Sequence, residues 1–131
     1  MKIRIAINGF GRIGRNTFKA AWGRKELMKQ LEFVAVNDPG GPEALAQLLK
    51  HDSVFRTWVG HEVGFGKDYL LVDGKKISVT SERDPALLPW KKLKIDVVLE
   101  CTGRFLTSEL ANQHVEKAGA KRVIISAPDK G

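Results

Sequence analysis

The sequence predicts an α/β fold, a doubly wound parallel sheet with an antiparallel hairpin insert. Three observations carry this. Runs rich in β-branched residues alternate with amphipathic runs of helical period, and parallel strands need crossovers that helices usually supply. Gly9-Phe-Gly-Arg-Ile-Gly14 lies directly after the first strand-like run and opens the first helical one. Asp73-Gly74 separates two further strand-like runs, the strongest short hairpin signal.

Lys2 to Asn8 places isoleucine at positions 3, 5 and 7 and stops at the glycines, the pattern of a strand entering a tight turn. Ile13, Phe18, Ala21 and Trp22 fall near one helical face, Arg15, Lys19 and Arg24 take the other, and Gly23 is available as a stop. Leu31 to Asn37 is a second strand, closed by the turn residues Asp38-Pro39-Gly40-Gly41. Pro42 suits a first helical position, and Leu45, Leu48 and Leu49 give that short helix its apolar face. Tyr69 to Val72 and Ile77 to Thr80 flank Asp73-Gly74 as the antiparallel insert. Pro85 and Pro89 limit any helix between Asp84 and Leu93 to a turn or two. Ile95 to Glu100 is the next buried strand. A helix from about Ser108 to Ala118 follows, with Thr107 as N-cap and Gly119 as stop, and Val123 to Ser126 is the last strand.

Length and charge narrow the function. A chain of 131 residues, 43% hydrophobic and 28% charged, reads as one globular domain over residues 1–131. It can bury roughly two-thirds of the surface exposed when unfolded. The longest apolar runs, Phe33 to Val36 and Tyr69 to Val72, span four residues, against the ~20 of a membrane-spanning helix. Lys2 and Arg4 interrupt the N-terminal apolar residues, unlike a secretory signal. The expectation is a cytoplasmic chain with no membrane partner. A net charge of +7 is compatible with nucleic acid, acidic lipid or a phosphorylated small molecule. The one cysteine, Cys101, excludes an intrachain disulfide, and His51, His61 and His114 lack metal-ligand spacing.

Ligands of open α/β sheets sit at the carboxyl ends of strands where the winding reverses, which points to the loops after Asn8, Asn37, Glu100 and Ser126. There the glycine run has the Rossmann-type dinucleotide pattern. Gly9 permits the sharp turn, Gly11 lets the backbone approach a pyrophosphate, and Gly14 lets helix and strand pack closely. The amides of Arg12 and Ile13, at the helix N-terminus, are placed to donate to phosphate oxygens. Asp38 ends the second strand some 24 positions after Gly14, where such folds place a carboxylate that accepts from the adenosine ribose hydroxyls. That carboxylate repels a 2′-phosphate, so NAD is expected over NADP. Asp38 also suits the start of an Asp-Pro-Gly turn, and the two roles can coexist. Thr102 and Gly103 are candidates for cofactor contact beside the glycine turn, and Ser126 occupies the corresponding loop after the last strand.

Cys101 has no histidine near it in sequence and reads as a small hydrophobe rather than a nucleophile. Arg15, Lys19, Arg24 and Lys25 read as the solvated face of the first helix, and Lys91-Lys92-Lys94 as a solvated turn. Trp22, Trp58 and Trp90 are not interleaved with basic residues as a nucleic-acid platform requires, so packing is their expected role.

Seven collinear blocks cover the chain: Ile7-Asn-Gly-Phe-Gly-Arg-Ile-Gly-Arg15, Val36-Asn-Asp-Pro39, His51-Asp-Ser53, Asp73-Gly-Lys-Lys-Ile77, Ser81-Glu-Arg-Asp-Pro85, Glu100-Cys-Thr-Gly103 and Val123-Ile-Ile-Ser-Ala-Pro128. Together they resemble the N-terminal half of phosphorylating glyceraldehyde-3-phosphate dehydrogenase. The resemblance implies a glycolytic oxidoreductase, tetrameric in the full-length family. Its reaction oxidises a phosphorylated aldehyde through a cysteine thiohemiacetal, passes hydride to NAD, and lets phosphate release the acyl thioester. It implies that Arg12 and Ile13 meet the pyrophosphate, Asp38 the ribose, and Arg83 the adenine through its main chain, with Thr102, Gly103 and Ser126 along the cofactor. Asn8 and Phe10 resemble members of the same pocket wall, and Gly9, Gly11, Gly14 and Asn37 complete the candidate site.

The family's nucleophile lies in a Ser-Cys-Thr-Thr-Asn block, and no such block occurs before Gly131. Cys101 matches a position in the Thr-Gly cofactor loop instead. No catalytic residue is assigned, and the expectation is a domain that stops short of the catalytic half and binds NAD without catalysing the family reaction alone. The alternatives are the cofactor domain of erythrose-4-phosphate dehydrogenase, whose substrate-selecting residues lie in the absent half, and a basic nucleic-acid-binding module with salt-sensitive affinity.

Overall fold

Alternation along the first strand divides the core in two. The computed structural model describes residues 2–52, 56–58, 60–84, 87–102 and 112–125. The elements run β1 (Ile3–Asn8), α1 (Arg12–Trp22), α2 (Lys25–Met28), β2 (Leu31–Asn37), α3 (Gly41–Lys50), the short β3 (His51–Asp52) and β4 (Arg56–Thr57), β5 (Val63–Phe65), β6 (Tyr69–Val72), β7 (Lys75–Thr80), β8 (Val97–Glu100), α4 (Gln113–Glu116) and β9 (Arg122–Ile125). Seven strands form one sheet in the order β5-β6-β7-β2-β1-β8-β9. β7, β2, β1, β8 and β9 pair in parallel, and β5, β6 and β7 pair antiparallel. From β1 the chain winds outward through β2 to β7, then returns to β8 and β9, so the winding reverses between β1 and β8.

Ile5 and Ile7 of β1 face one cluster, with Phe10 and Phe18 of the α1 region, Leu45 and Leu49 of α3, and Phe33 and Val36 of β2. Ala6 faces the other, with Ala35, Trp90, Val98, Ala118 and Ala120. Phe33 and Val36 share a face despite their odd spacing because the β1–β2 register shifts between Ile5 and Ala6, leaving Val34 as the extra residue. The fully buried Trp90 indole belongs to this second cluster, to which the sheet contributes the small side chains of Ala6 and Ala35 beside Val98. The two apolar faces, each covered, are what a doubly wound sheet requires.

Several sequence expectations hold closely. Leu31–Asn37 is the second strand as read, and α1 follows the glycine turn with Gly14 and Phe18 buried. At Asp73-Gly74 φ is +50° and +82°, the pair of left-handed residues a two-residue hairpin turn demands.

Others are extended or changed. The antiparallel hairpin is present as read, and the structure adds that β7 also pairs in parallel with β2 and that β5 is a third antiparallel strand. β5 escaped the sequence reading because Val63-Gly-Phe65 is three residues long with a central glycine. Leu48 is exposed, while Leu45 and Leu49, four apart, form the buried stripe of α3. Between β7 and β8 the described residues form turns around Trp90 and a single turn at Leu87. Of the helix expected over 108–118, Gln113–Glu116 is described. Its stop, Gly119, has φ of +89° and lies against Lys91, whose Cβ would sit 2.6 Å from a methyl placed there. Thr107, Pro85, Gly103 and Ser126 lie outside the described residues. Among the described residues no helix is long and apolar enough to cross a membrane.

Candidate functional site

The glycine turn joins β1 to α1 with each glycine under a different constraint. Gly9 has φ of +92°, and a Cβ on it would lie 2.8 Å from the Thr102 backbone N. The loop after β8 is therefore fitted directly against it. A Cβ on Gly14 would lie 2.3 Å from the Gly9 carbonyl oxygen, so helix and turn pack at a distance only glycine permits. Gly11 is the opposite case, since a Cβ there would meet no atom within 4 Å. It is the N-cap of α1, has no side-chain cap, and the first turn carries no acidic residue. The open face of Gly11 thus adjoins uncapped N–H donors and the positive end of an 11-residue helix. That arrangement fits the diphosphate of a dinucleotide.

Asp38 is tied into the same turn. Its Oδ2 accepts from the Phe10 N–H at 2.8 Å and its Oδ1 from the Gly40 N–H at 2.9 Å. It begins the Asp-Pro-Gly turn and also lines the cleft, as the sequence reading allowed. The cleft has a volume of about 230 Å³. Asn8, Gly9 and Gly11 lie along its β1 side, Asn37, Asp38 and Pro39 beyond β2, Ser81, Glu82 and Arg83 beyond β7, and Cys101 and Thr102 beyond β8. Four of the five parallel strands contribute their carboxyl ends.

One rung of the sheet forms the floor. Thr80, Asn37, Asn8 and Glu100 are aligned in register across β7, β2, β1 and β8, which points their side chains to one face. Thr80 Oγ1 donates to Asn37 Oδ1 at 2.7 Å, Asn37 Nδ2 to Asn8 Oδ1 at 2.7 Å, and Asn8 Nδ2 to Glu100 Oε2 at 2.8 Å. His114 of α4, fully buried, completes the line with Nε2 at 2.6 Å from Glu100 Oε2. Trp90 Nε1 donates to His114 Nδ1 at 3.0 Å. Because an indole N–H only donates, Nδ1 must accept, which puts the imidazole proton on Nε2, facing the carboxylate.

Burial by itself pushes the Glu100 carboxyl up, but the hydrogen bonds it accepts from His114, Thr102 and Asn8 outweigh this and hold it below its ordinary value of 4.5. A depressed folded pKa contributes stability that is present above the unfolded value and is lost as pH falls through the folded one. Thermal melts from about pH 7 down to about pH 3 are expected to lose Tm more steeply below about 4.5 in the native chain than in Glu100→Gln. Parallel profiles would remove Glu100 from the acid response.

The structure gathers most of the sequence-selected residues, with one correction. Phe10 is not in the cleft wall: its ring is 1% exposed and packs edge-on against Phe18 in the core, and only its N–H serves the site, through Asp38. Arg12 and Ile13 stand exposed on the first turn of α1, and Arg83 is exposed on the cleft rim. The Asn8 side chain turns into the polar rung. Cys101 packs as a half-buried apolar group against the first core cluster. Trp90 is core, and Trp22 and Trp58 flank Phe18. Sequence reasoning missed Ser81 and Glu82 in the cleft, and His114 and Trp90 in the support beneath it. Only the rung, created by strand pairing, relates Asn8, Asn37 and Glu100 to His114, so no local pattern announces it.

A family model described as "Glyceraldehyde 3-phosphate dehydrogenase, NAD binding domain" matches residues 3–108. The chain is 53% identical over 98% of its length to a glyceraldehyde-3-phosphate dehydrogenase of Mycoplasma pneumoniae, covering 36% of that protein. It is 51% identical over its full length to one of Zymomonas mobilis, covering 38% of it. To a chloroplastic one of Arabidopsis thaliana it is 49% identical over 99% of its length, covering 32%. The chain thus spans about a third of the length of these relatives.

Proposed function

The chain belongs to the glyceraldehyde-3-phosphate dehydrogenase family, matching its NAD-binding domain, and on that premise we propose that it holds NAD in the cleft above the polar rung without turning over substrate alone. The observation that carries this is the Gly9-Gly11-Gly14 turn, closed at its first and third glycines and open at its second. In this reading the N–H groups of Arg12 and Ile13 hold the diphosphate, Asp38 the adenosine ribose and Arg83 the adenine rim. Asn8, Gly9, Asn37 and Thr102 shape the wall, Phe10 anchors Asp38, and Gly103 and Ser126, which follow β8 and β9 in the chain, supply the remaining contacts. NAD supplies a hydride acceptor when bound, and this chain's residues position it.

In the whole protein the activity proposed is oxidation of a phosphorylated aldehyde to an acyl phosphate, in a homo-oligomer, with the nucleophile outside these 131 residues. A cytoplasmic location belongs to the same proposal; cell fractionation assigns the compartment.

Calorimetric titration of the 131-residue chain should give binding heat with NAD and affinity at least ~10-fold weaker for NADP, a difference of about 1.4 kcal/mol. Absence of heat with NAD, or tighter binding of NADP, contradicts the reading. Mixed with NAD, inorganic phosphate and glyceraldehyde 3-phosphate, the chain should form no NADH; turnover would show that a nucleophile is present after all.

A further inference from the structure

We propose that Glu100 is a positioning residue that sets the β8 side of the cofactor cleft by holding the backbone of Thr102, and so governs affinity for the nicotinamide half of the dinucleotide; this rests on the NAD reading above.

The carboxylate divides its acceptors between two jobs. Oε1 takes the Thr102 N–H at 3.0 Å and the Thr102 hydroxyl at 2.6 Å. Oε2 takes the Asn8 amide at 2.8 Å and faces His114 Nε2 at 2.6 Å. One side chain, 2% exposed, therefore ties the loop after β8 to β1, to α4 and, through His114 and Trp90, to the turns before β8. The loop it holds is the one fitted against Gly9, where the Thr102 N and Cys101 C lie 2.8 and 2.9 Å from the position of an added Cβ.

A buried carboxylate is a poor choice for stability alone, since taking a charge out of water is costly unless every acceptor site is hydrogen-bonded. What a fully bonded carboxylate supplies is one fixed geometry for the groups around it. The winding reverses between β1 and β8, and dinucleotides bind across such a crevice with one half on each side. Asp38 stands on the β2 side. Thr102 lies beyond β8, on the other side, so the half it meets is the one without the adenosine.

Glu100→Gln keeps the shape but places an amide donor against either the Thr102 donors or the His114 and Asn8 donors. Calorimetry on the folded variant should show NAD affinity reduced at least ~10-fold, with ADP affinity changed by less than ~2-fold. Equal loss for NAD and ADP, or no loss for NAD, overturns the proposal. Failure of the native chain to bind NAD overturns the cofactor reading and this inference with it. Should the variant not fold, hydrogen exchange on the native chain without nucleotide decides instead. The Thr102 N–H should be protected at least ~100-fold relative to its unstructured rate, and exchange at the unstructured rate overturns the proposal.

Discussion

Gly11→Val is expected to abolish NAD binding while leaving the fold intact and lowering its thermal stability only slightly. The first link is conformational. Gly11 has φ of −77° and ψ of −160°, extended backbone open to any residue, and valine tolerates it well. The second is spatial, because a Cβ there meets nothing within 4 Å. The new side chain therefore projects into the cleft beside the first turn of α1, into the volume the diphosphate would occupy. The N–H donors remain but can no longer be reached at hydrogen-bond distance. A loss of at least ~100-fold, or about 2.7 kcal/mol, is expected by calorimetry, with Tm lowered by only a few degrees because valine caps α1 less well than the glycine it replaces. Retained binding would mean that the diphosphate lies elsewhere. The turn provides its own contrast: a side chain at Gly14 is excluded by the Gly9 carbonyl at 2.3 Å, so there the glycine serves the fold rather than the ligand.

The difference between those two glycines shows what the sequence made legible. Spacing alone placed Gly9, Gly11 and Gly14 between a strand and a helix, and mechanism assigned them distinct roles that the contacts distinguish. Asp38 was found the same way, because its position depends on the length of one strand-helix-strand unit. Phe10 was misread as pocket wall because the reading had a motif but no side-chain direction; its ring follows the odd face of β1 into the core with Ile5 and Ile7. The polar rung was invisible for a stronger reason. Asn8 and His114 are 106 residues apart, and only the pairing of β8 with β1 and the return of α4 place them on the same carboxylate. The β5 strand was obscured by its central glycine, which breaks any alternating pattern. Local chemistry and the fold class were readable; the side-chain contacts that strand pairing makes between distant residues were not.

Asp38→Ala should reduce NAD affinity by ~10- to 100-fold and collapse the preference for NAD over NADP. Two effects contribute, and the second nucleotide separates them. Removing the carboxylate leaves the N–H groups of Phe10 and Gly40 without the acceptors now at 2.8 and 2.9 Å, which costs roughly 1–3 kcal/mol where such groups are shielded from water. That loosens the glycine turn and weakens both nucleotides. The charge acts on only one of them. A carboxylate at the end of β2 accepts from free ribose hydroxyls but repels a 2′-phosphate, so its removal deprives NAD of a partner and relieves NADP of a like charge. NAD affinity should therefore fall by more than the turn's loosening explains, while NADP affinity holds or rises, and the gap should narrow further at low salt, where the native repulsion is least screened. If both nucleotides weaken by the same factor, the carboxylate is a turn anchor alone, and the discrimination between the two cofactors must come from another part of the cleft.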